Sequence, residues 1–120
     1  MKILIADDSE FMREVLREII NKNFSDPQIF EAATEREAID QFIKEKPDLT
    51  LLDIIMPEKE EGIEALKQIK KFDPDARVVM ISAVGAHITI DKCKKLGVAD
   101  YIIKPFDDVE VVKVLRQYLS

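Results

Sequence analysis

The chain has 120 residues, of which 47% are hydrophobic and 35% charged, which is the size and composition of one globular domain. Its 18 Lys and Arg against 24 Asp and Glu give a net charge of -6, which disfavours binding to a nucleic-acid backbone. The apolar runs are too short for a membrane span, and the single cysteine fits a reducing compartment. We therefore expect residues 1–120 to form a single cytoplasmic domain that contacts neither nucleic acid nor membrane.

Five short apolar or β-branched segments recur along the chain and are typical of strands. The first, third and fourth are apolar nearly throughout, as expected for strands buried on both faces of a parallel sheet. The predicted strands are Ile3–Ala6, Ile29–Ala32, Leu49–Leu52, Val78–Ile81 and Tyr101–Ile103.

Between and after these segments, apolar residues repeat at helical spacing, which predicts five amphipathic helices. The pair Thr34 and Glu37 is typical of a capping box, and Asp107 with Glu110 is an acidic analogue of it. Gly97 predicts the end of the fourth helix, the most ambiguous element because a short stretch near its start alternates like a strand. Strand and helix alternating five times indicate an α/β domain with a doubly wound parallel sheet between two helical layers.

The helical stripes also predict which side chains face the core. In the fifth helix the predicted inward residues leave Val114 outside the stripe. The predicted core residues of the first, second, third and fifth helices are Phe11, Met12, Val15, Leu16, Ile19 and Ile20; Ala38, Ile39, Phe42 and Ile43; Ile63, Leu66 and Ile69; and Val111, Val112, Leu115, Tyr118 and Leu119.

Polar residues follow four of the strands, at the edge where open parallel sheets carry their sites. Asp7 and Asp8 follow the first strand, Asp53 the third, Ser82 the fourth and Lys104 the fifth. Clustered carboxylates require a cation, and oxygen ligands favour Mg²⁺. An ionised Asp53 could then attack phosphorus, with Lys104 and Ser82 stabilising the charged phosphoryl oxygens. Taken alone, Asp8 or Ser9 could equally be a helix cap.

This combination of residues resembles the receiver domain of two-component response regulators, and most of all the chemotaxis-type, CheY-like single-domain receivers. The resemblance covers the whole chain and implies a flavodoxin-like sheet with strand order 2-1-3-4-5. The segments that carry it are Asp7-Asp8, Asp53 with Met56-Pro57, Ser82-Ala83 and Tyr101–Phe106.

The resemblance implies that Asp53 accepts a phosphoryl group from a histidine kinase or a histidine phosphotransfer protein. It further implies that Asp7, Asp8, Asp53 and the backbone carbonyl of Ile55 bind Mg²⁺, and that Lys104 precedes a cis proline bond. Catalysis is then limited to the domain's own phosphorylation and dephosphorylation, so the chain is not an enzyme for external substrates.

Ser82 and Tyr101 match the switch pair of the family, which passes phosphorylation to the face formed by the fourth helix, fifth strand and fifth helix. An output protein is expected to bind there. We expect a monomer, with a phosphorylation-dependent dimer as the alternative. The candidate apolar contacts on this face are Ile90, Val98, Tyr101 and Val114.

Two features depart from the family pattern. The segment between Pro57 and Gly62 is one residue longer than usual and carries three glutamates, so it either alters the third helix and partner choice or is a neutral surface insertion. Ile55 and Val84 are apolar at positions that flank the path of the hydrolytic water in the family. We expect them to slow autodephosphorylation because neither side chain can orient water.

Other interpretations remain open at this point. The chain could be a receiver from a larger transcription factor or hybrid kinase, or an interaction module that works without phosphorylation. A phosphatase of the haloacid dehalogenase type is disfavoured because Ile55 stands where a second aspartate is required. Three glycines supply no phosphate-binding loop for a nucleotide. His87 is expected at the surface and Cys93 in the core.

Overall fold

The computed structural model describes residues 1–56 and 61–119 as five strands and five helices that alternate along the chain. Among these residues no helix has both the length and the apolar character that crossing a membrane requires. The strands are β1 Lys2–Ala6, β2 Gln28–Ala32, β3 Leu49–Leu52, β4 Val78–Ser82 and β5 Asp100–Ile103. The helices are α1 Glu10–Asn23, α2 Glu35–Glu45, α3 Glu61–Phe72, α4 His87–Lys95 and α5 Asp108–Leu119.

All strand pairs are parallel, and the sheet has the order β2-β1-β3-β4-β5. The α/β class predicted from alternating periods and the order implied by the resemblance are both confirmed. The three apolar segments form the central strands β1, β3 and β4, which explains why they lack polar alternation. The order reverses between β1 and β3, so their carboxyl ends lie side by side at the switch point of the sheet.

The core has two parts, one on each face of the sheet. One cluster joins the sheet to α2 and α3 and includes Cys93 of α4, while the other joins the sheet to α1 and α5. The helices are therefore divided two and three between the faces, which leaves the carboxyl edge of the sheet free to carry polar side chains.

The helix ends follow the predicted signals. Ser9 caps α1 by accepting from the N–H of Met12, and Thr34 caps α2 by accepting from the N–H of Glu37. Gly97, at φ +90°, follows the last turn of α4 in the left-handed region that glycine tolerates. The strand-like stretch is helical, because α4 runs through it.

Three core predictions are wrong. Phe11 is 73% exposed because it lies in the first turn of α1, before the helix has come over the sheet. Ile43 is 42% exposed because α2 covers β2, which is an edge strand and offers less surface to pack on. Val114 is only 9% exposed, since α5 packs against α1 as well as the sheet and its buried face is wider than one stripe.

Candidate functional site

Backbone hydrogen bonds of the sheet continue for one residue beyond the ends of β3 and β5. The N–H of Asp53 donates to the carbonyl of Ala6 at 2.9 Å, and the N–H of Lys104 donates to the carbonyl of Ser82 at the same distance. The side chains that follow β1, β3 and β5 therefore start from fixed backbone positions on one edge of the sheet.

Three carboxylates meet at this edge. Asp7, Asp8 and Asp53 each offer an oxygen, and these oxygens all lie within 4.8 Å of one another. Asp7 is 3% exposed and Asp53 is 8% exposed, whereas Asp8 is exposed. Such a set of hard oxygen donors at short range, open to solvent through Asp8, could hold a metal ion.

Lys104 is the counter-charge of the cluster. Its Nζ donates to Asp7 Oδ2 at 2.7 Å and to Asp53 Oδ2 at 3.0 Å, so one ammonium bridges the carboxylates that follow β1 and β3. Burial opposes the charged ammonium, but the hydrogen bonds and charges of the two aspartates outweigh it and raise the pKa of Lys104. The lysine is therefore held in the charged form.

Asp7 is the most constrained of the three aspartates. Burial raises the pKa of Asp7 above the ordinary value for an aspartate, although hydrogen bonds from Lys104 and from the N–H of Ser9 act in the opposite direction. The Ser9 N–H lies 2.9 Å from Asp7 Oδ1. The buried cluster thus carries more negative charge than one lysine offsets, which is the condition that favours a further cation.

A second polar network lies behind the β1–α1 turn, and the sequence analysis missed it. Arg13 of α1 donates from Nη1 to the carbonyl oxygen of Asp7 at 2.7 Å and from Nε to Glu31 of β2 at 2.9 Å. Arg17 donates to the other oxygen of Glu31. The available signal was a charged residue within the apolar strand Gln28–Ala32, together with two arginines four positions apart.

Ser82 and Tyr101 are connected through one residue of the β4–α4 loop. The N–H of Val84 donates to Ser82 Oγ at 3.3 Å, and the hydroxyl of Tyr101 donates to the carbonyl of Val84. Ser82 is buried, and Tyr101 is half-buried against the core cluster of α2 and α3. The two predicted switch residues therefore share the backbone of Val84.

The chain directly after Asp53 is closely packed. The N–H of Ile55 donates to Asp53 Oδ1 at 3.3 Å, and the side chains of Ile55 and Val84 pack against the same core cluster. The main chain of Gly62 lies against Asp53 and Ile54, and its N–H donates to the carbonyl of Ile54 at 2.8 Å. The first turn of α3 thus packs directly against the backbone of Asp53.

Several predictions can be followed to their positions. The Lys104–Pro105 bond is cis, as the resemblance implies. His87 is exposed and Cys93 is buried, as expected. The extended glutamate-rich segment is residues 58–61, of which only Glu61, the first residue of α3, is among the described residues, so its effect on α3 and on partner choice remains a prediction.

The predicted partner face is present in part. A surface cavity of about 230 Å³ lies between α4 and β5 and includes Ile90, Val98 and Tyr101, while the buried Val114 does not contribute to it. Ile103, 45% exposed, was not predicted and lines the same cavity. Its exposure could have been predicted from its position at the end of an edge strand, where one face of the sheet is only partly packed against helices.

Comparison with known proteins gives a consistent result. The family model described as response regulator receiver domain matches residues 3–116. The chemotaxis protein CheY of Thermotoga maritima is 40% identical over 116 residues, which cover 97% of this chain and 95% of that protein. Sporulation initiation phosphotransferase F of Bacillus subtilis is 41% identical over 118 residues, covering 98% of this chain and 93% of the relative.

A solved structure with the same fold contains a second protein, BeF3 and Mg+2. The CheX-CheY-BeF3-Mg+2 complex from Borrelia burgdorferi matches with a TM-score of 0.89 and 34% identity, covering 100% of this chain and 90% of that chain. The family match, the sheet order and the carboxylate cluster agree with one another. This chain belongs to the response regulator receiver domains, the signalling modules that act as phosphoacceptors of two-component systems.

Proposed function

We propose that Asp53 accepts the phosphoryl group, from the phosphohistidine of a kinase or of a histidine phosphotransfer protein. An oxygen of Asp53 forms the new O–P bond as the P–N bond to the donor imidazole breaks, and the imidazole nitrogen keeps the electron pair. The observation that carries this proposal is the bridge from Lys104 to Asp53 and Asp7. It places an ammonium beside the oxygen of Asp53, where phosphoryl charge develops.

The same cluster is the proposed Mg²⁺ site. Asp7, Asp8 and Asp53 supply carboxylate oxygens within 4.8 Å of one another, and the backbone carbonyl of Ile55 is the proposed further ligand. This donor set fits the ion, because Mg²⁺ prefers oxygen ligands and a partly hydrated site, and Asp8 leaves one side open to water. When bound, the ion supplies charge neutralisation for the transferring phosphoryl oxygens.

Lys104 and Ser82 are the proposed ligands of the phosphorylated state. Lys104 is within hydrogen-bond distance of Asp53 before any phosphoryl group arrives, so it needs only to exchange a carboxylate oxygen for a phosphoryl oxygen. Ser82 is buried and accepts from Val84, which leaves its hydroxyl proton available for donation to a phosphoryl oxygen.

Movement of Ser82 is the proposed start of the switch. A donation from Ser82 to the phosphoryl group draws Val84 with it through their hydrogen bond, and Val84 holds the hydroxyl of Tyr101. The rearranged aromatic ring then changes the cavity between α4 and β5. We propose this cavity, with Ile90, Val98 and Ile103, as the output face.

The lifetime of the phosphoryl group is proposed to be long. Ile55 and Val84 come from two different loops and pack against one core cluster, and Ile55 adjoins Asp53 because its N–H donates to Asp53 Oδ1. A hydrolytic water there finds no side-chain partner at these two positions, which slows its attack on phosphorus.

The known relatives indicate the kind of signalling pathway in which the receiver acts. The relatives include a chemotaxis protein and a sporulation phosphotransferase, so we propose a cytoplasmic receiver acting in chemotaxis or in a phosphorelay. Its catalysis is limited to its own modification. A kinase or phosphotransfer protein would be the donor and an output protein the acceptor of the signal.

Intact mass after incubation with acetyl phosphate tests the site. The wild-type protein should gain one phosphoryl group only when Mg²⁺ is present, and Asp53→Asn should gain none. Asp75→Asn is the matched control, because it makes the same change at an exposed carboxylate away from the cluster.

An adduct on Asp53→Asn would place the acceptor elsewhere. The absence of any adduct on the wild-type protein, with donor and Mg²⁺ in excess, would instead support an interaction module that works without phosphorylation. Following decay of the wild-type adduct over hours measures the lifetime in the same experiment.

A further inference from the structure

We propose that Arg13, held by Glu31 within the Arg13–Glu31–Arg17 network, is a positioning residue for the metal site and that its contact with the Asp7 carbonyl sets the affinity of that site for a divalent cation. The inference rests on the proposed role of Asp7 and Asp8 as metal ligands. None of the three network residues belongs to the carboxylate cluster itself.

Arg13 acts on the peptide bond that joins the two aspartates. Its Nη1 donates at 2.7 Å to the carbonyl oxygen of Asp7, and this carbonyl belongs to the peptide unit between Asp7 and Asp8. Peptide units are planar and this one includes Cα of Asp8, so holding its oxygen restricts rotation of the whole unit and narrows the positions open to the Asp8 side chain. Asp8 is exposed, which makes its orientation dependent on the backbone.

Glu31 holds Arg13 in the required orientation. One oxygen of Glu31 accepts from Arg13 at 2.9 Å and the other accepts from Arg17, so the carboxylate is held from two sides. The Arg13 side chain is 15% exposed, and its guanidinium cannot easily exchange this partner for water. Glu31 lies on β2 beside Ile5 of β1, so the network joins α1 to the strand next to the site.

The direction in which Mg²⁺ affinity changes when Arg13 is removed distinguishes a positioning role of Arg13 from a purely electrostatic one. Removing a cation near three carboxylates would, by charge alone, strengthen binding of Mg²⁺. Releasing the Asp7–Asp8 peptide would instead weaken it, because the ligands must then be ordered when the ion binds. Arg17 offers the matched control, since it carries the same charge and contacts Glu31 but donates to a different oxygen of it.

The test measures the Mg²⁺ dissociation constant by calorimetry for the wild type, Arg13→Met, Arg13→Lys and Arg17→Met. We expect both Arg13 variants to weaken binding by about tenfold, because outer partners of metal ligands typically contribute at that level. Arg17→Met should change it by less than about twofold, as for other partly exposed ion pairs. Lysine keeps the charge but cannot reach both partners with a planar fork, so it should not restore affinity.

A second readout uses the protein without metal. Amide hydrogen exchange at Asp8 and Ser9 should be faster in both Arg13 variants and unchanged in Arg17→Met, while exchange in the central strands stays the same in all four proteins. This comparison also shows whether an Arg13 variant has lost its fold, because the strands would then exchange faster too. If Arg13→Met is unfolded in this way, the exchange rates and Mg²⁺ affinity of Arg13→Lys, the smaller change, test the role of Arg13.

The outcomes separate the two proposals. Wild-type affinity in Arg13→Met, full rescue by lysine, or an equal loss in Arg17→Met would each overturn the role of Arg13. If the wild-type protein binds no Mg²⁺, the proposed metal site fails, and the exchange rates at Asp8 and Ser9 then decide the role of Arg13 in ordering the turn.

Discussion

Helices α1 and α4 each follow a strand that carries site residues, yet they are attached to the fold in different ways. Helix α1 is capped by Ser9, buries three side chains and is tied to β2 through Arg13. Helix α4 begins at His87 after the N-cap residue Ala86, which supplies no side-chain cap, and Cys93 is its only buried residue in the described chain.

The difference separates two tasks. The carboxylate cluster needs fixed geometry, because metal and phosphoryl ligands must meet within a few tenths of an ångström. The proposed output face must instead change at a small cost in free energy, and a helix with few buried contacts opens or shifts more readily than one with many. The molecule therefore places its rigid connections at the β1 and β3 ends and its weak ones at α4.

The largest expected effect is at Gly62. A Cβ there would lie 2.6 Å from Cα of Ile54, against backbone that cannot rotate away, so Gly62→Ala should lower the free energy of unfolding by about 3 kcal/mol. Gly85 is the control in the weakly held region, since a Cβ there meets only Ile103 at 3.6 Å. Gly85→Ala should stay within about 0.5 kcal/mol.

Urea denaturation of both variants measures this pair. Equal effects of the two substitutions would mean that the support beneath Asp53 is no tighter than the loop before α4, and the contrast between the two regions would fail.

The second effect concerns the lifetime of the phosphoryl group, for which we propose one apolar side chain from each region, Ile55 after β3 and Val84 before α4. Replacing either Ile55 or Val84 by Asn gives a water molecule a polar partner, and we expect decay to become about tenfold faster for each, a barrier change of about 1.4 kcal/mol. The decay of the adduct, followed by intact mass, measures it. Unchanged decay in both variants would show that apolar side chains at these positions do not limit hydrolysis.

The third effect depends on pH and metal and is confined to the carboxylate end. Burial raises the pKa of Asp7 in the folded protein, so the folded state is favoured while Asp7 is protonated and loses stability as pH rises from 3.8, the ordinary value, through the raised one. Without metal, Asp7→Asn should therefore be more stable than the wild type at neutral pH, and the difference should shrink as pH falls from the raised pKa of Asp7 towards 3.8.

Adding Mg²⁺ should reverse this order. At ten times its dissociation constant the ion adds about 1.4 kcal/mol to the wild-type protein and little to Asp7→Asn. Thermal unfolding with a chelator and with Mg²⁺, across pH, measures both. A wild-type protein that gains stability from pH 4 to pH 7 relative to Asp7→Asn, without metal, would contradict the expected sign.

The smallest effect is expected from adding an N-cap side chain to α4 and removing the one of α1. Ala86→Ser places a hydroxyl at an extended N-cap position and should stabilise the protein by about 1 kcal/mol, while Ser9→Ala should cost about the same. Hydrogen exchange along α4 should slow in Ala86→Ser. If α4 exchanges as slowly as α1 before the change, the helix is not the weakly held element described above.

Much of the fold could be predicted from the sequence, because burial on both faces makes a strand apolar throughout. Leu49–Leu52 and Val78–Ile81 are such segments, and they form the sheet centre. The strand order could not be obtained from the residues alone, since right-handed crossovers allow several orders, and it came from the family resemblance. The exposed Phe11 and the buried Val114 were mispredicted because a helical period does not fix how wide the covered face is.

Some residues of the candidate site could likewise be predicted from the sequence and others could not. Asp7, Asp53 and Lys104 could be grouped from their positions after the strands, since parallel strands end at one edge. Arg13 and Glu31 could not, because their contact joins positions 18 residues apart and depends on how α1 lies over β2. Ser82 and Tyr101 were paired through the resemblance, and the residue that connects them was not foreseen.

That connection has a consequence for how receivers of this kind can diverge. Val84 joins Ser82 to Tyr101 through its amide hydrogen and its carbonyl oxygen, neither of which depends on the side chain. Under the proposed mechanism, selection is therefore free to change the side chain at position 84, and so the lifetime of the phosphoryl group, while the backbone connection from Ser82 to Tyr101 is inherited intact. Proline is the exception, since it lacks the amide hydrogen.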